Sequence, residues 1–198
     1  MVDMPHSFLA DAAAGEGAVA DDVREVLAKC RAKMGFVPNV FNAYAHDAEK
    51  FRAFRAMSND LMKGDSPLSE LEREMIAVVV SSQNRCHYCL AAHGAAVRKL
   101  SGDAAFGDAL VHNYRAVKLP PRHRAMLDFA AALNDPENLN AAEERGRLMR
   151  AGFCHRAVFH ICAVAAFYHM TNRIAAATDL RPNREYFDIG REQQQDKQ

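Results

Sequence analysis

Residues 86–93 read Cys86-His87-Tyr88-Cys89-Leu90-Ala91-Ala92-His93, and the run continues through Gly94 to Leu100 before Ser101-Gly102 breaks it. Read as a helix, this stretch places Cys86, Cys89 and His93 on one face, because positions i, i+3 and i+7 fall close together around a 3.6-residue turn. Two thiols at that spacing can cycle between dithiol and disulfide, and an imidazole on the same face can take up or return the proton that the cycling moves.

Working outward, the chain reads as helix nearly throughout, since strand signals are almost absent and Gly and Pro fall between periodic apolar segments. Asp21-Asp22 opens a helix carrying Val23, Val26, Leu27 and Cys30 that stops at Gly35; a short helical stretch runs from Pro38 to Tyr44. A third spans about 47–63, with Phe51, Phe54, Met57, Leu61 and Met62 as its apolar stripe, read as core or interface. Ser66-Pro67 predicts an N-cap with proline at the first helical position, and Ser69-x-x-Glu72 is a second possible capping box for a helix reaching about Asn84. Further helices are expected at 103–112, 121–134 and 140–150, then a long one at 154–178, apolar on most faces. The fold class is therefore all-α: packed antiparallel helices in a single domain over residues 1–198, with a core at about 21–180 and a polar tail at about 181–198 that frays at Gln193-Gln194-Gln195.

Lys+Arg and Asp+Glu are both 25 in 198 residues, so no net field draws the chain to nucleic acid or an anionic membrane. A neutral surface favours self-association, and a homo-oligomer is expected. Met1-Val2-Asp3-Met4-Pro5-His6 does not read as a secretory signal, and the longest aliphatic run, Ile76 to Val80, is too short to cross a bilayer. Five cysteines (30, 86, 89, 154 and 162) form no disulfide framework, so reduced thiols in the cytoplasm are expected.

Two physical effects nominate different nucleophiles. The helix N-terminus favours a thiolate at Cys86, whereas Cys89 lies four residues before His93 and within reach of that base. A carboxylate to orient the imidazole belongs on the preceding helix. If the 67–84 and 86–100 helices form an antiparallel pair turning near Arg85, Glu74 and His93 end up offset by roughly 3 Å along the axis. A partly buried carboxylate beside a histidine passes protons in either direction.

Blander readings compete. Cys86, Cys89 and His93 would supply three zinc ligands completed by Cys154, His155 or Cys162, but no second ligand pair follows, and no metal is expected. Haem attachment needs histidine directly after the second cysteine, where Leu90 stands. Cys30, Cys154 and Cys162 read as small core residues, His155, His160 and His169 as core or interface histidines, and Asn172-Arg173 as a cap or a cross-subunit pair. The sequence holds no nucleotide-binding loop, so no cofactor is expected.

Glu74, eleven intervening residues, then Cys86-x-x-Cys89-x-x-x-His93 resembles the signature of the carboxymuconolactone decarboxylase/AhpD-like superfamily. Phe36-Val37-Pro38-Asn39-Val40-Phe41, and Tyr168 through Asn172-Arg173, resemble its peroxidase-related, alkylhydroperoxidase-type branch, so the likeness spans about 24–183. The resemblance implies an AhpD-like helical fold in an oligomer and a thiol-dependent peroxidase. Cys89 would be the peroxidatic thiol, Cys86 the resolving one, and Glu74 and His93 the proton relay, with a small hydroperoxide as substrate and an external dithiol as reductant. Lactone-decarboxylating lyase chemistry and non-turnover redox sensing are the alternatives. One position departs: alkylhydroperoxidase D proper carries histidine where this chain has Tyr88, a hydrogen-bond donor but a poor base at neutral pH.

Overall fold

Ser69 and Glu72 form the expected capping box: the Glu72 N–H donates to Ser69 Oγ and the Ser69 N–H to the Glu72 carboxylate. Arg122 ties the same carboxylate to a later helix at 2.9 Å. The helix therefore starts at Glu70, later than Ser66-Pro67 predicts. The Ser66 hydroxyl instead accepts from the Leu68 N–H and pairs with His160 Nδ1 at 2.9 Å. Two orphan donors satisfied reciprocally outweigh one serine ahead of a proline.

The computed structural model describes residues 19–137 and 139–191; the opening Met1–His6 and the Gln193–Gln195 tract lie outside them. Among the described residues the order is α1 (Asp21–Met34), α2 (Asn39–Tyr44), α3 (Ala48–Lys63), α4 (Glu70–Gln83), α5 (His87–Ser101), α6 (Ala104–Asn113), α7 (Pro121–Ala132), α8 (Ala141–Arg150) and α9 (His155–Ala177). Two short 3₁₀ turns follow α6 and α9, at Tyr114–Ala116 and Arg184–Phe187. The fold is all-α, and no helix among the described residues is long and apolar enough to cross a membrane.

The helix α4 sits at the centre, packed against α5, α6, α7 and α9. Met75, Ile76, Val78 and Val80 on α4 are fully buried with Met126 and Leu127 of α7 and Ile161 and Val164 of α9. At about 25 cal/mol per Å² of apolar surface removed from water, this cluster supplies the main drive to fold. Close approach of α5 and α6 requires Gly107, whose added Cβ would lie 2.5 Å from the Arg98 side chain.

Two expectations need correction. Met57 is 48% exposed and leaves the α3 stripe, whose buried members are Phe51, Leu61 and Met62. Cys154 is exposed at the N-cap of α9, and Cys30 is only part-buried. The described part of the polar tail is tied to the core. Buried Arg98 on α5 donates to the carbonyls of Tyr186 (2.5 Å) and Ile189 (2.9 Å), and Tyr186 is buried against Phe36. These bonds run to backbone carbonyls, which every residue carries.

Candidate active site

The turn between α4 and α5 delivers the thiols. Arg85 takes the left-handed conformation (φ 54°), its N–H donates to the Ser82 carbonyl, and the Cys86 N–H donates to that of Ser81. This pairing closes α4 and leaves Cys86 as the N-cap residue of α5. Cys89 lies one turn in, and both cysteines are 4% exposed.

The two sulfurs interact directly. A hydrogen bond from the Cys89 thiol lowers the Cys86 thiol to about 7 against the opposing effect of burial, with help from the Cys89 and Tyr88 N–H groups and from His93. The same interaction, then burial and the charge on Cys86, pushes Cys89 well above the ordinary thiol range, although Asn172 and Ser81 hydrogen-bond its sulfur and offset part of the rise. The resting thiolate of the pair thus belongs to Cys86, as the helix N-terminus favours.

Glu74 meets His93 as the helical register requires: Oε2 lies 2.6 Å from Nδ1, with both side chains mostly buried. The Tyr168 ring stands edge-on to the imidazole at 4.6 Å, its hydroxyl 3.5 Å from Nδ1. The imidazole acts on the Cys86 thiol as a nearby charge. The sulfur of Cys89 is held by Asn172 and Ser81.

Those two residues, with Tyr168, are what sequence reasoning missed. Asn172 is 2% exposed, donates to Ser81 Oγ at 3.0 Å and accepts from the Asn84 amide at 2.9 Å. It is therefore neither a cap nor an exposed pairing group, while its neighbour Arg173 is exposed and donates to the His169 carbonyl. A signal existed for Ser81, a small polar residue closing the aliphatic run seven positions after Glu74, on the same helical face. The hydroxyl of Tyr88 accepts from the Val40 N–H at 3.2 Å and sits 3.5 Å from that of Tyr186. It fastens α2 and the C-terminal segment over the thiols and makes no hydrogen bond to Glu74 or His93.

A cavity of about 600 Å³ opens above this site, with Cys89, His93 and Tyr168 in its lining. Cys86 is not in the lining, so a small molecule entering the cavity meets Cys89 first. Among the described residues no three His, Cys, Asp or Glu side chains are grouped to hold a metal ion.

Residues 48–105 match the sequence pattern of the Carboxymuconolactone decarboxylase family. A solved peroxidase-related protein from a Silicibacter species is 51% identical, with a TM-score of 0.82 over 86% of this chain and 89% of that one. The chain belongs to the carboxymuconolactone decarboxylase/AhpD-like superfamily. A second AhpD-like structure, described as an alkylhydroperoxidase AhpD core and peroxidase-related protein from Ralstonia eutropha, is 40% identical with a TM-score of 0.84 over 88% of this chain and 92% of that one. The debrominase Bmp8, 21% identical with a TM-score of 0.72 over 87% of this chain and 92% of its own, shares the AhpD-like fold. No functionally curated protein matches the chain.

Proposed function

We propose that this AhpD-like protein is a thiol-dependent peroxidase that reduces organic hydroperoxides through a Cys86/Cys89 disulfide cycle. The observation that carries the reading is a buried pair of interacting thiols, one of them lining a cavity that also holds a histidine bound to a carboxylate.

The chemistry balances with these groups alone. The Cys89 proton passes to the Cys86 thiolate along the hydrogen bond that joins them. The Cys89 thiolate attacks the terminal oxygen of R–O–OH; the S–O bond forms as the O–O bond breaks, and protonated His93 delivers a proton to the departing alkoxide. Neutral His93 then accepts the Cys86 proton, and the Cys86 sulfur displaces hydroxide from the Cys89 sulfenic acid, which leaves as water with that proton. The two thiols lose two electrons and the peroxide gains them. Glu74 stabilises the imidazolium through each transfer. An external dithiol reduces the disulfide by thiol exchange and closes the cycle.

The test is peroxide consumption with excess dithiol. Sustained turnover is expected, with Cys89→Ser inactive and Cys86→Ser forming one sulfenic acid equivalent per chain when peroxide is added without dithiol. A single burst in the unmodified protein supports redox sensing instead. Full turnover by Cys89→Ser removes Cys89 from the nucleophile role, and decarboxylation of a lactone acid with no peroxide consumption supports the lyase reading.

A further inference from the structure

The walls of the cavity above Cys89 are of two kinds. A ladder of rings leads away from His93: Tyr168 at 4.6 Å, Phe167 5.4 Å beyond it, Phe54 a further 5.7 Å, then Tyr44 stacked on Phe54 at 4.4 Å. Around this apolar body the lining carries Lys29 and Lys33 from α1 and Lys50, Arg55 and Lys63 from α3, against one carboxylate, Asp47. Lys29 pairs with Glu25 and Lys50 with Asp47. Among the described residues no carboxylate pairs with Lys33, Arg55 or Lys63. Burial pushes the Cys30 thiol up, and Arg55 and Lys63 lie close enough to offset part of that rise, which places both cations beside the α1 wall.

This excess is local, because the whole chain carries equal numbers of cationic and anionic residues. Cations beside low-dielectric walls focus their field into a cleft and raise the local concentration of anions there. The volume matches sites for organic ligands of ordinary size, roughly 300–1,000 Å³, and far exceeds what hydrogen peroxide needs.

Resting on the peroxidase reading, we propose that the cavity selects organic hydroperoxides bearing a carboxylate at the end remote from the O–O bond. The apolar body lies along the Phe167–Phe54–Tyr44 ladder, the carboxylate meets Lys33, Arg55 and Lys63, and the hydroperoxide group reaches Cys89 and His93. Bond changes are those of the cycle above, with the external dithiol as reductant.

The experiment compares substrates that differ in charge alone. Steady-state kinetics are measured for cumene hydroperoxide and its para-carboxylate, and for linoleate hydroperoxide and its methyl ester as a long-chain arm. The expected result is a KM about tenfold lower for the carboxylates, equivalent to about 1.4 kcal/mol, and a gap that narrows as salt is raised. In the triple variant Lys33→Gln/Arg55→Gln/Lys63→Gln, checked for its thermal transition, the ratio between charged and neutral substrates falls toward one. A preference confined to one arm tells an aryl from a long-chain body and upholds the carboxylate site.

Calorimetric binding of para-carboxylated cumyl alcohol to Cys89→Ser separates this proposal from the peroxidase reading. If no peroxide is turned over but the carboxylated alcohol binds more tightly than the uncharged one, and the triple substitution abolishes the difference, the anion site stands and the peroxidase reading fails. Equal KM for charged and neutral substrates, equal or undetectable binding of the two alcohols, or a preference that survives the triple substitution overturns the proposal.

Discussion

Two buried clusters meet along the α4–α5 hairpin and are built on different rules. On one side Met75, Ile76, Val78 and Val80 interlock with Leu127, Ile161 and Val164, and exposure is close to zero throughout. On the other side the cluster around Cys86 and Cys89 is filled by small residues, Ala43, Ala91, Ala95 and Ala175, and by aromatic rings with polar tips, Tyr88 and Tyr186. Branched aliphatic side chains fill space and leave nothing to titrate. Alanine and tyrosine leave room for sulfur and for hydroxyls that find partners: Val40 N–H for Tyr88 and, at the edge of the site, His93 for Tyr168. Stability and chemistry are thus carried by different clusters.

That division is open to direct attack. Ile161→Ala, at a site with no exposure, should cost about 2–5 kcal/mol in denaturant unfolding while the thiol titration of the folded protein stays put. A cost well below that range would mean that the aliphatic side is not the main support. Glu74→Gln tests the chemical side of the comparison. Peroxide turnover should fall roughly 100-fold, as removal of general acid–base help does, while the melting temperature changes little. Comparable losses in both would make Glu74 a packing residue.

The thiol pair offers a pH-based check. The Cys86 thiolate is present above about pH 7 and is lost as pH falls through that value, because the bonded form is the charged one. Removing the donor with Cys89→Ala should move the midpoint upward toward the ordinary thiol value of about 8.5, followed by thiolate ultraviolet absorbance and by the pH dependence of iodoacetamide labelling. A midpoint that stays near 7 would assign the thiolate to the helix N-terminus and His93 instead. Asn172→Ala leaves Ser81 and Asn84 without a shared partner; a loss of about 1–3 kcal/mol is expected from the buried groups left unsatisfied, with slower peroxide consumption per folded molecule. The smallest effect belongs to Ser69→Ala at the start of α4, about 1 kcal/mol in thermal or chemical unfolding with unchanged activity.

Most helix boundaries were legible in the chain because they are set by neighbours in sequence. Gly35 and Gly102 supply the left-handed conformation that ends α1 and α5, and Asp47 and Asp103 cap α3 and α6. The Glu74–His93 contact was legible for a related reason: one tight turn and a fixed rise per residue determine which side chains of a hairpin meet. Asn172 was not legible, because it comes from α9, 91 residues from Ser81, and no periodicity in either helix specifies that crossing. The strapping of residues 181–191 was equally hidden, since Arg98 reaches backbone carbonyls rather than recognisable side chains.

Local order in the chain therefore settled the helices, their ends, the shared face of Cys86, Cys89 and His93, and the height of Glu74, because each depends on a few bonds and a repeat of 3.6 residues. Tertiary packing decided which sulfur faces the cavity and that five cations gather around its lining. Those properties depend on burial and on charges brought together from α1, α3, α4, α5 and α9. Distance through space, rather than distance along the chain, determines the strength of such interactions.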